Sequence, residues 1–122
     1  MAIGAIRLDQ GRPAEAEPML REALALRIEK LGPDDRRTAR AQRLLGLCLM
    51  DLGKNNEAEQ QLLAGYRTLA SAKNWYHRTL REHTLQDLVA LYRSSGRPAD
   101  AARYTALLTG EVLPARLAST SP

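Results

Sequence analysis

Apolar residues recur along this chain in blocks with helical spacing. Leu45, Cys48, Leu49 and Leu52 fall at i, i+3, i+4 and i+7, which lines one side of an α-helix. Ala58, Leu62, Tyr66 and Leu69 mark a second such side, and Leu85, Leu88, Val89 and Tyr92 a third. The residues between these blocks punctuate them. Asp34 or Asp35 caps a helix predicted over 35–52, because a short carboxylate accepts the orphan N–H groups of a first turn. Gly53 ends that helix in the left-handed conformation glycine adopts without steric cost. Asn55 is placed to cap the next, predicted over 55–73. Gly96 stops the helix carrying Leu85 to Tyr92. Pro98 then opens another where its missing N–H costs nothing, and Ala101, Leu108 and Val112 carry it to Pro114. Upstream, Pro13 opens a helix that runs to Leu31, ahead of Gly32-Pro33. Pro18 lies inside it, removes one hydrogen bond and predicts a mild bend.

Three stretches repeat this grammar: GRPAEAEPMLREAL from Gly11, GKNNEAEQQLLAGY from Gly53 and GRPADAARYTALLT from Gly96. Each runs Gly, basic residue, two spacers, acid, alanine, and the starts lie 42 and then 43 residues apart. A helix pair of this size cannot bury its apolar face alone, so tandem repetition implies stacking into a shared core. The fold expected is all-α, an α-solenoid of about two and a half helical hairpins over 1–113. It divides into a partial repeat 1–31 and repeats 34–73 and 77–113, with a frayed polar tail over 114–122. The leading helix of the first hairpin, MAIGAIRLDQ, is about half the length of its counterparts. Ile3, Ile6 and Leu8 then form an apolar edge with no earlier helix over it, which predicts further repeats upstream or self-association through that edge.

Composition sharpens the fold and narrows the class. The chain holds 21 Leu and 19 Ala against 3 Ile, 2 Val and no Phe, a choice that favours helices over strands. A single Cys48 excludes an internal disulfide and fits a reducing compartment. No apolar run approaches the roughly 20 residues that span a bilayer, and the opening residues lack a signal-peptide pattern. A cytoplasmic location with no membrane partner is therefore expected. The net charge of +4 comes from scattered arginines rather than a basic block, so nucleic acid is the less favoured partner.

These residues resemble the tetratricopeptide repeat family. Its pattern of Leu-Gly in the first helix, Gly at the turn, then Ala and a large apolar residue is met by Leu45-Gly46, Gly53, Ala58 and Leu62. Ile3-Gly4, Gly11, Ala16 and Leu20 follow it closely, and Leu88-Val89, Gly96 and Ala101 do so until Thr105. The period exceeds the family's usual 34 and, with LGPDDRRTA between copies, is similar to the kinesin-light-chain type found in segments of bacterial signalling proteins. The resemblance implies a non-catalytic scaffold or adaptor binding a protein or peptide. Two known binding modes are missing. Arg43, Leu44, Gln86 and Asp87 stand where the light-chain repeats carry a ladder of Asn, and Leu47 stands where a carboxylate-clamp Asn would be.

In such a stack the first helix of each pair lines the inner wall. At 100° per residue, Arg36, Arg40, Arg43 and Leu47 share one stripe, and Thr79, His83, Gln86, Ala90 and Arg93 form the next. Arg40, Arg43, Leu47, His83, Gln86 and Arg93 are the candidate partner-binding residues. Arginine forks would grip carboxylate or phosphate in two-point contact, with Leu47 as an apolar floor. The bland alternative is a solvated polar face, and the alternative ligand is nucleic acid bound through the same stripe. His77 and His83 stand about 240° apart and cannot share an ion, so no metal is expected. Cys48 belongs to a buried face. No convergent set of titratable groups marks a catalytic site, and no cofactor is expected. Trp75 and Tyr76, in the loop SAKNWYHRT, would anchor a partner or cover the joint between hairpins, and the joint is the expected role.

Overall fold

A computed structural model of the chain describes residue 4, residues 10–70 and residues 74–110. Among them are five α-helices and no strand: α1 (Pro13–Leu31), α2 (Arg36–Asp51), α3 (Asn55–Leu69), α4 (Trp75–Ser94) and α5 (Pro98–Thr109). The all-α reading holds. The proposed edge of Ile3, Ile6 and Leu8, and the 114–122 tail, lie outside the described residues.

The predicted punctuation works in most places. Pro13 and Pro98 each occupy the first turn of their helices. Pro18 is accommodated inside α1, which runs unbroken to Leu31. Asp35, rather than Asp34, caps α2 by accepting from the Arg37 N–H at 2.8 Å. Asn74 caps α4 in the same way through the Tyr76 N–H. Gly53 and Gly96 close the two hairpins with φ of +75° and +73°, values that penalise any residue with a Cβ. Behind each, the next N–H reaches back into the ended helix: Lys54 to the Leu49 carbonyl and Arg97 to the Tyr92 carbonyl, both at 2.8 Å.

Three expectations need correction. Asn55 does not cap α3; it is already helical, and the cap position falls on Lys54, whose side chain makes no capping bond. An ammonium has no acceptor to offer a first turn, and that of Lys54 pairs with Glu17 of α1 at 2.9 Å. Helix α5 ends at Thr109, because Gly110 takes φ +75° three residues before the predicted reach; Val112 lies outside the described residues. The segment read as the loop SAKNWYHRT contributes the start of α4 at Trp75, since the Asn74 cap begins the helix ahead of the apolar stripe.

Each helix packs on its neighbours in the chain, and α2 also meets α4. One continuous core results. Ala16 and Leu20 of α1, Leu45 and Leu49 of α2, and Ala58 and Leu62 of α3 join Leu88 and Tyr92 of α4 and Tyr104 of α5. Each fully buried leucine stabilises the stack by roughly 1.5–3 kcal/mol relative to exposure. A second, smaller cluster of Ala39, Leu69 and Leu80 sits where α2, α3 and α4 meet. Close approach of α2 to α3 depends on Gly46: a Cβ there would lie 2.7 Å from Leu62 Cγ. Gly65 is similar, with the Ala39 carbonyl oxygen 3.1 Å from where its Cβ would stand. Small residues thus set the helix spacing.

Candidate binding face

The candidate residues come from two helices that sit side by side. Arg40, Arg43 and Leu47 are on α2, and His83, Gln86 and Arg93 are on α4. Their spacing keeps them off the buried sides of the helices. Arg40, His83, Gln86 and Arg93 are exposed, and Leu47 is half-buried. Neither Arg40 nor Arg93 has an ion-pair partner among the described residues.

Arg43 departs from the expected role. It was read as a free donor, yet its Nε donates to Asp87 Oδ2 of α4 at 2.5 Å, with only 23% and 15% of the two side chains exposed. The guanidinium is therefore committed to holding α2 against α4. Burial pushes the Asp87 carboxyl above its usual value, against the opposing pull of Arg43 and then of His83 one turn away. Sequence reasoning noted both positions without pairing them. Their separation of one repeat plus one residue was the available signal.

Cys48 is fully buried, and its Sγ lies 3.2 Å from the Pro13 carbonyl oxygen, positioned to donate to it. Burial raises its thiol pKa, which removes the thiolate a nucleophile needs. Core packing is its role, as expected. Trp75 is a correction. It was expected to cover the joint between hairpins, but it is 70% exposed, with Tyr76 at 52%. Starting α4 at Trp75 places both rings in the first turn, ahead of the residues that pack. The two rings meet edge to face, centroids 6.2 Å apart.

One buried polar atom stands apart. Gln42 on α2 is 7% exposed, and its Oε1 has no hydrogen-bond partner among the described residues. It borders a cleft of about 270 Å³ that Pro33, Ala64, Arg67 and Thr68 also line. Nothing in the sequence pattern singled it out, because a polar residue beside Ala41 and Arg43 reads as part of the outer stripe.

Stacked antiparallel hairpins with a repeated turn, a shared core and an exposed polar face define a helical-repeat protein. The family model for the tetratricopeptide repeat matches residues 1–71, more than half of the chain, and the protein belongs to that family. Neither the curated proteins nor the solved structures contain a match to the chain. Tetratricopeptide repeats generally mediate protein–protein interaction. No helix among the described residues is long and apolar enough to cross a membrane.

Proposed function

We propose that the chain is a non-catalytic adaptor or scaffold segment that takes an acidic peptide of a protein partner across the shared face of α2 and α4. The observation that carries this reading is the pair of exposed, uncommitted guanidinium groups of Arg40 and Arg93 on adjoining helices. The Arg43–Asp87 pair ties the two helices that carry them. Gln86 and His83 add polar contacts along the same face, and half-buried Leu47 supplies the apolar footing.

The test is fluorescence anisotropy of a labelled glutamate-rich peptide against the full chain and an Arg40→Glu/Arg93→Glu variant. Binding that falls at least tenfold in the variant, with an unchanged melting temperature, supports the reading; equal binding overturns it. Running the same variant against single-stranded DNA, with a salt series, tests the nucleic-acid alternative. Phosphate-backbone binding falls linearly in log-log form as salt rises.

A further inference from the structure

The joint between successive hairpins is built twice in this chain, and its two versions differ. Offsets of 42 (α1 to α3) and 43 (α2 to α4, α3 to α5) residues superpose the copies. At the first joint, Lys54 reaches Glu17 at 2.9 Å, and Arg21 bridges Glu17 and Glu57 at 2.9 and 2.6 Å. Two acids meet two bases there, and every charge is used.

At the second joint Arg97 replaces Lys54. It donates to Glu59 at 2.9 Å and to Asp100 at 2.8 Å, and the Tyr92 hydroxyl donates to the other Glu59 oxygen at 2.8 Å. Both acids are satisfied by those two residues. Leu63 occupies the place of the bridging Arg21, and arginines appear where the first joint has Ala25 and Gln60: Arg67 and Arg103. Neither pairs with an acid among the described residues; Arg103 only rests over the Tyr104 ring, 5.3 Å from its centroid. Tyr104 in turn stacks on Tyr92 at 5.4 Å and takes Tyr66 edge-on at 6.2 Å. Leu63, Arg67, Tyr92, Arg103 and Tyr104 line a cavity of about 440 Å³, beside the cluster in which Arg97 pairs with Glu59 and Asp100.

We infer that this cavity between α3 and α5 is a second binding site, separate from the α2–α4 face, that accepts a side-chain oxyanion of a partner polypeptide between Arg67 and Arg103. Tyr92 and Tyr104, stacked on each other, form a floor for the carbon part of such a side chain. The two free forks supply the charge that the first joint spends internally. Carboxylate and phosphoryl groups share the required chemistry, since each can present two oxygens to the two parallel N–H groups of a guanidinium fork. A phosphoryl group, at −1.5 to −2 charge near neutrality, matches two forks better than a single carboxylate does.

The experiment is a titration of the isotope-labelled full chain with two probes, N-acetyl-phosphoserine amide and N-acetyl-glutamate amide, followed by backbone and arginine Nε–H shifts. Saturable shifts confined to α3, α5, the residues about Tyr92 and the Arg67 and Arg103 side chains are expected. They should weaken at least tenfold in Arg67→Gln/Arg103→Gln and persist in Arg40→Glu/Arg93→Glu. Response to the phosphoryl probe alone identifies that source, and response to both identifies a general oxyanion site; either supports the inference. No saturable shift with either probe, shifts centred on Arg40, Arg43 and His83, or shifts unchanged in the glutamine variant would overturn it. Because wild-type shifts are read by position, failure here and failure of the α2–α4 reading are separate results.

Discussion

Arg43 and Asp87, 44 positions apart in the chain, are joined by an ion pair that spans the two helices of the proposed binding face. Removing one partner strands the other charge in a half-buried place, whereas removing both does not. Arg43→Met should therefore lower stability by roughly 1–3 kcal/mol, and Arg43→Met/Asp87→Leu should regain most of it. Urea midpoints for the two variants check this. A double variant as weak as the single one would show that the pair matters for some reason other than Asp87.

Gly46 sets the distance between α2 and α3. Gly46→Ala would bring a methyl to within 2.7 Å of Leu62 Cγ. We expect a loss of roughly 1–3 kcal/mol from overpacking, partly relieved by Leu62→Val. Calorimetric melting of the single and double variants measures the coupling; strict additivity would place the clash elsewhere.

Acid should loosen the joints between hairpins. Hydrogen bonds from Lys54 and then Arg21 hold the Glu17 carboxyl below its ordinary value. Burial pushes Glu59 up, but hydrogen bonds from Arg97 and Tyr92 outweigh it, and the net direction is down. A lowered folded-state pKa gives stability that is complete above the unfolded value, near 4.5, and lost as pH falls through the folded one. Asp87 works the other way, since its raised carboxyl is relieved by protonation. Arg37 likewise holds the Asp35 carboxyl down, through its side chain and then its backbone N–H; with three groups against one, the urea midpoint should drop between neutrality and about pH 3, and Glu17→Gln/Glu59→Gln should flatten part of that drop. An equally steep fall in the variant would assign the acid sensitivity to other groups.

The unpaired Oε1 of Gln42 costs stability where it sits, because a buried acceptor without a donor keeps its desolvation penalty. Gln42→Leu is similar in volume and removes that penalty. Its melting temperature should match or exceed that of the parent. A clear drop would mean that the amide is satisfied in solution.

Helix identity, order and turn sites were legible in the sequence because each rests on local rules: periodic leucines, prolines at first turns, glycines at Gly53 and Gly96. The buried faces of α2 and α4 followed from the same spacing. What escaped depends on the side chain a neighbour offers across a joint. Lys54, a donor with no acceptor, holds the cap position and turns to Glu17 of α1, Arg43 meets Asp87 because α4 presents it, and Trp75 is exposed because Asn74 starts the helix early. The face holding Arg40 and Arg93 was visible as a stripe, yet which of its arginines remain available depended on contacts between repeats.

Helices that meet mostly their own chain neighbours, with α2 to α4 as the longer step, make a row of couplings rather than a single knot. Such a row assembles quickly, since few distant segments must find one another. It should also loosen piecemeal, from whichever terminal hairpin is weakest, while the middle stays intact. Amide exchange would then grade along the molecule, slowest about Leu45, Leu49 and Leu62.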